Sequence, residues 1–208
     1  MKKKIQKFID DRNVECCIHF TKVENLKSIL QYGLLSKDEM DYKFLDYHYN
    51  DSLRLDGYTE SISVSITFPN YKMLYKYRME NSSSRWVVLI LDASLVLSLD
   101  CAFCFKNAAS SSINSIAIEE LKSYAALEDM FKENHIYTRK EMNLSENEPT
   151  NPQAEILVFQ NIPVEAIKFV IFEDFSDMQT HKHKLDSMNI AYCRDYGYFG
   201  PRHDFKYW

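Results

Sequence analysis

The sequence predicts an α+β domain, and two observations predict it. Segments of helical period cluster early, and strand-like apolar segments are scattered rather than set in a βαβ alternation. No GxGxxG or P-loop pattern occurs. A nucleotide site in this chain would therefore not use a glycine cradle. At 208 residues the chain suits a single domain, 1–208, with no internal repeat, linker or low-complexity stretch. A domain of this size buries roughly 70% of its unfolded surface, so its core needs no staples. With 14 Tyr and 13 Phe, several aromatic rings are left over for ligand stacking once a core is filled.

The elements follow in order. Ile5, Phe8 and Ile9 recur at helical spacing within residues 2–12. Residues 14–20 read as a strand. Thr21-Lys22-Val23-Glu24 is a capping-box pattern, with Thr21 as N-cap and Glu24 at N3. Val23, Leu26, Ile29 and Leu30 then line one face of a helix that Gly33 ends. Residues 36–60 show no clear period and read as a long loop with helical fragments, a length that is usually functional or mobile. Ile62, Val64 and Ile66 alternate in a half-buried strand over 61–67, and Pro69 opens a helix carrying Tyr71 to Arg78. Residues 86–91 form a continuous apolar strand, 94–99 a helical turn or two, and 107–115 a small polar loop. A helix over 118–134 buries Leu121, Tyr124, Ala125 and Leu127. Strands over 154–159 and 167–172 are joined through Ile162-Pro163. Ser176-Asp177-Met178-Gln179 is a second capping-box pattern, opening a helix to about Met188, and 190–193 is a short strand.

Five cysteines, an odd number, and an N-terminal segment too polar for a secretory signal point to a reducing cytoplasm. No apolar run is long enough to span a bilayer, so no membrane is expected. Cys101-Ala102-Phe103-Cys104 is a lone CxxC. A structural zinc would need two further ligands, which Cys16, Cys17, Cys193, His181 and His183 offer only by coincidence of fold, so buried free thiols and no metal are expected. A net charge of −5 argues against holding long duplexes by general electrostatics, but not against gripping a short single strand locally. Lys72, Lys76, Arg78 and Arg85, interleaved with Tyr71, Tyr75 and Tyr77, have the composition of single-strand binders; the same spacing describes an amphipathic helix with a solvated basic face. The aromatic tail, 196–208, either docks a partner or packs on the core, and packing is expected.

Three short constellations carry chemistry. His19-Phe20-Thr21 places a histidine at a strand end beside a helix N-terminus, where free N–H groups favour phosphate or amide oxygens; by local physics alone Thr21 merely caps and His19 is a satisfied core histidine. Arg54-Leu55-Asp56-Gly57 offers a guanidinium for phosphates or developing charge, or a surface ion pair with Asp51 or Asp56. Glu155 opens the apolar run Ile156 to Phe159 after the polar stretch 146–152. A carboxylate there either is a solvated strand end or stabilises an oxocarbenium ion. Because it stands alone, the bond it helps to break would already have a good leaving group, such as N-glycosidic nicotinamide.

Together and in this order, His19-Phe20-Thr21, Asn25-Leu26-x-Ser28-Ile29-Leu30-x-x-Gly33-Leu34-Leu35-Ser36, Arg54, Ser65-Ile66-Thr67-Phe68-Pro69-Asn70-Tyr71-x-Met73-x-Tyr75 and Gln153-Ala154-Glu155 resemble the DarT family, from about Cys17 to Phe172. These are toxins of DarTG toxin–antitoxin systems that ADP-ribosylate DNA bases. The resemblance implies the ADP-ribosyltransferase fold, a split, strongly bent pair of small sheets with NAD+ in the cleft. It implies that His19, Phe20 and Thr21 hold the nicotinamide end of NAD+ and that Ser28 and Ser36 line its site. Arg54 would lie between the phosphates and the acceptor base and help activate the base. Tyr71, Met73 and Tyr75 would pack around nicotinamide or base, Glu155 would be the catalytic glutamate, and residues 140–154, with Gln153, would face the substrate. Nicotinamide leaves, and a nitrogen of a single-stranded, unstacked base attacks the anomeric carbon, with no metal required.

Thymine-modifying members carry a His before an Ala-Ala pair where this chain reads Asn107-Ala108-Ala109. That departure, with the Arg54-Leu55-Asp56-Gly57 and Phe68-Pro69-Asn70-Tyr71-Lys72-Met73 runs, resembles a guanine-directed branch, with thymine as the other base. A monomer with a cognate antitoxin is expected from the same resemblance. The alternatives are an RNA-directed transferase of the same fold, a phosphotransferase-like relative, against which Glu155 argues, and a non-catalytic binding module.

Overall fold

A seven-stranded sheet in the order β4-β5-β2-β1-β3-β6-β7 organises the chain. The computed structural model describes residues 1–45, 47–48, 56–185, 188–193 and 197–208. The strands are β1 (Cys16–Lys22), β2 (Ile62–Ile66), β3 (Trp86–Asp92), β4 (Cys101–Cys104), β5 (Glu155–Val158), β6 (Ile167–Phe172) and β7 (Asn189–Tyr192). The helices are α1 (Lys2–Asp11), α2 (Leu26–Tyr32), α3 (Lys37–Tyr42), α4 (Tyr71–Glu80), α5 (Leu95–Ser98), α6 (Ser111–Asn114), α7 (Ile118–Leu121), α8 (Tyr124–Asp129) and α9 (Phe175–His181). The pairings are antiparallel except β6 with β7, which α9 joins as a parallel crossover. This is the predicted α+β class, with helices flanking a mixed sheet.

The apolar run of β3 is continuous because both faces of the strand are covered. Val87, Leu89 and Leu91 join the main core, with Ile5 and Phe8 of α1 and Leu127 of α8. Trp86, Val88 and Ile90 join a second core with Leu74 of α4 and Phe199. β4 divides the same way. Cys101 belongs to the main core and Cys104 to a third cluster, so the CxxC side chains lie on opposite faces and do not converge on one ion. All five cysteines are free, and burial pushes the Cys101 thiol up to about 12.

The sheet is weakly joined at one place. β1 pairs with β3 along its whole length, but with β2 only at Cys17 with Ile66 and Ile18 with Ser65. Continuing that register would set Phe20 opposite Ser63. Instead the strands part, and the His19 ring donates from Nδ1 to the Ser63 carbonyl at 2.9 Å. The split opens a cleft between the two halves of the sheet.

Several local expectations need correction. Thr21 does not cap a helix: β1 runs on to Lys22, and the Thr21 hydroxyl accepts from Asn25 Nδ2 at 2.9 Å. The helix expected over 118–134 is two short helices, because Ser123 takes an extended conformation and its hydroxyl caps α8 by accepting from Ala126 N. Asp174, not Ser176, caps α9, accepting from the N–H groups of Ser176 and Asp177, and the α-helix ends at His181. The loop over 107–115 contains α6. In the tail, Phe199, Arg202 and Asp204 are buried. No helix among the described residues is long and apolar enough to cross a membrane.

Candidate active site

The cleft left by the split has a volume of about 780 Å³, within the usual range of small-molecule sites. Residues 18–21 of β1 and 61–65 at β2 form its floor, Ser28 of α2 and the Gly33–Leu35 turn form one wall, and Lys72, Met73, Lys76 and Tyr77 of α4 form another. Asn107, Gln153 and Glu155 close the end where β4 and β5 meet. His19, Phe20, Thr21, Ser28, Met73, Asn107, Gln153 and Glu155, far apart in sequence, thus come together.

Glu155 is the first residue of β5 and pairs with Cys104. Only 7% exposed, it accepts a hydrogen bond on Oε1 from the Ala108 N–H at 2.5 Å. That donor is aimed by a turn that Asn107 builds: its side chain accepts from Ala109 N at 3.0 Å and its carbonyl from Ser110 N at 2.9 Å. The carboxylate is felt next door, where burial first, and then the charges of Glu155 and Asp56, hold the Cys104 thiol well above the usual thiol range.

His19 is held with equal definition. Its Nδ1 faces a carbonyl, an acceptor only, so Nδ1 carries a proton. Behind it, Asn25 clamps the neighbouring loop, donating from Nδ2 to Thr21 Oγ1 and to the His48 carbonyl at 2.9 Å each and accepting from His48 N at 2.8 Å. Gly33 has φ 78, and a Cβ there would stand 2.3 Å from the Ile162 carbonyl, so only glycine lets the end of α2 approach the Leu34–Ile162 bridge.

Other predicted residues lie elsewhere. Ser36 caps α3, its hydroxyl accepting from Glu39 N at 3.3 Å, and does not line the cleft. Tyr71 is buried at the start of α4 and Tyr75 is exposed, and neither lines the cleft. Arg54 lies outside the described residues. The basic stretch divides: Lys72 and Lys76 reach the cleft, whereas Arg78 bonds the Phe199 carbonyl and the Glu173 carboxylate, and Arg85 bonds Asp177 and Glu24. Asn25 stands in the sequence only as part of the family motif, and Tyr77 only among the aromatics of the basic stretch; the structure brings both to the cleft.

The family model described as "ssDNA thymidine ADP-ribosyltransferase, DarT" matches residues 18–196. The chain belongs to the DarT family. The DarT fold extends across the solved structures it resembles. Thermosipho africanus DarTG in complex with ADP-ribose superposes with a TM-score of 0.60 at 18% identity, over 89% of this chain and 51% of that one. The chain therefore spans about half the length of that relative. Thermus sp. 2.9 DarT in complex with ADP-ribosylated ssDNA gives 0.58 at 15% identity, over 88% of this chain and 96% of that one. The same DarT in complex with NAD+ gives 0.53 at 15% identity and the same coverage. No protein of curated function matches this sequence.

Proposed function

We propose that this chain transfers ADP-ribose from NAD+ to a base of single-stranded DNA, releasing nicotinamide. The observation that carries the reading is Glu155, nearly buried at the end of the cleft and aimed by the Ala108 N–H, at the position where the family's motif order places the catalytic glutamate. The supporting likeness is to Thermus DarT structures with NAD+ and with ADP-ribosylated ssDNA.

In this reading His19, Phe20 and Thr21 hold the nicotinamide end of NAD+. The Glu155 carboxylate stands against the ribose as the C1–N bond breaks and positive charge spreads onto the sugar. The electron pair of that bond leaves with nicotinamide, which departs neutral, so one carboxylate suffices and no general acid is required. A base nitrogen then donates its lone pair to C1 and passes its proton to solvent. Arg54 acts between the phosphates and the base, and Gln153 and Met73 meet the base. Replacing Glu155 with Gln should lower label transfer from NAD+ to a single-stranded oligonucleotide by about 10²-fold or more while the melting temperature holds. Undiminished transfer by that variant would falsify the assignment.

Guanine is the base that Asn107-Ala108-Ala109 and the Arg54-Leu55-Asp56-Gly57 run favour, and thymidine is the one in the family's description. Mass spectrometry of otherwise identical dG, dT and RNA oligonucleotides after incubation with NAD+ decides among them. The likeness to Thermosipho DarTG supports a cognate antitoxin as partner, and the free cysteines support a reducing cytoplasm as its setting.

A further inference from the structure

We propose that the buried Arg202–Asp204 pair positions the acceptor strand: it clasps the segment ahead of Glu155 to helix α4 and so holds Gln153 at the mouth of the cleft. The inference rests on the transfer reading above. Both residues lie beyond residues 18–196, the span matched by the family model.

Residues 139–154 contain no helix or strand. Arg139 ties the segment from within, donating to the Ser145 and Glu148 carbonyls and to Thr150 Oγ1 at 2.8 Å each, and further bonds hold it from outside. Arg202 donates from Nη1 to the Pro149 carbonyl at 2.8 Å and from Nη2 to the Thr150 carbonyl at 3.1 Å. His203 Nε2 lies 2.9 Å from the Asn143 carbonyl, and the Tyr207 hydroxyl donates to the Glu141 carbonyl at 2.7 Å. From the other side, Thr67 Oγ1 donates to the Asn147 carbonyl at 2.8 Å and Asn147 Nδ2 to the Asn13 carbonyl at 3.2 Å. Thr67 does this at φ 62, which is rare for a β-branched residue.

The pair itself is costly to bury. Arg202 is 2% exposed and Asp204 is fully buried. Two charges leave water without loss only when every partner is met. Here Arg202 binds Asp204 through Nε at 2.7 Å and Nη2 at 2.6 Å, and Trp208 Nε1 donates to Asp204 Oδ2 at 2.7 Å. The same segment grips α4, because the Phe199 carbonyl accepts from Arg78 at 2.9 Å, and its Tyr198 ring lies 5.7 Å from that of Phe68, ahead of the helix. One short stretch therefore joins the α4 wall to the segment ahead of Glu155.

Glu155 does not depend on this clasp. It lies within the β4–β5 ladder and takes its bond from Ala108. Gln153 does depend on it, being set by a turn on Asn151, the residue after the clasped Thr150. Loosening the clasp displaces the acceptor side of the cleft and leaves the NAD+ side in place, a split that mere loss of stability does not produce.

The test uses the full chain with Asp204→Asn and, separately, Trp208→Phe, which removes a single bond at the edge of the pair and preserves a foldable protein. The KM for a single-stranded oligonucleotide should rise about tenfold in Asp204→Asn, equivalent to ~1.4 kcal/mol, and severalfold in Trp208→Phe. The melting-temperature rise produced by NAD+ should equal that of the wild type. Wild-type KM in both variants, or loss of the NAD+ response in step with transfer, overturns the proposal. Absence of transfer by the wild-type chain instead defeats the proposed function, so the two failures are distinct. Should Asp204→Asn not fold, Trp208→Phe alone decides.

Discussion

Asp204 shows how a single residue is tuned by opposing effects. Burial pushes its pKa up, but the Arg202 guanidinium and the Trp208 N–H more than compensate and hold it below the ordinary carboxylate value. A carboxylate depressed in the folded state stabilises the fold above its unfolded pKa, and that contribution is lost as pH falls through the folded one. Urea melts should therefore show stability falling from about pH 4 downward. Asp204→Asn should be less stable at neutral pH by about 3–5 kcal/mol, since it leaves a buried guanidinium without its counter-charge, and should lose that acid slope. Residues at this scale were unevenly legible. Glu155 and His19 stand in local motifs, and the cleft contains both. The bond from Ala108 to Glu155 spans 47 positions, so no local pattern revealed that Asn107 builds the turn supporting the carboxylate.

At the scale of elements, strands were easier to read than helix ends. Alternation in β2 and the apolar run of β3 report burial directly, because each residue's face is set by the pleat. Capping patterns failed where a stronger local partner intervened. Pairing with β3 carries β1 through Thr21 to Lys22, and Asp174 displaces Ser176 as cap. Gly33 was read correctly as a helix stop, and its surroundings add a demand the sequence does not reveal, the 2.3 Å approach of the Ile162 carbonyl to any Cβ. Gly33→Ala should destabilise the protein by about 3 kcal/mol, combining left-handed strain with a backbone clash. A thermal melt within a degree of the wild type would contradict that account.

For the whole molecule, the defining event is the parting of β1 from β2 after two paired positions. It makes one sheet serve as both core and binding cleft. The split itself has no signature in either strand, since His19 and Ser63 look ordinary apart; the resemblance to a known family implied it. If the cleft takes NAD+, the ligand adds stability by mass action, about 2.7 kcal/mol at a hundredfold excess over Kd. For a chain of this length each kcal/mol is worth about 2–4 °C, so a rise of about 5–11 °C is expected with wild type. An unchanged melting temperature at saturating NAD+ would count against the cleft as its site.

The ladder that carries Glu155 has a further consequence. β5 is hydrogen-bonded along both edges, to β4 and to β2, so the carboxylate sits on a platform with little freedom to vary. Around it, beyond the sheet floor, the cleft is closed by segments outside the sheet: the turn at Asn107, the stretch ending in Gln153, and helix α4. Those segments can be exchanged without breaking a rung of the ladder. If the proposed transfer holds, acceptor preference is separable from bond cleavage, and grafting the stretch ending in Gln153 between relatives should retarget the reaction while the platform stays the same.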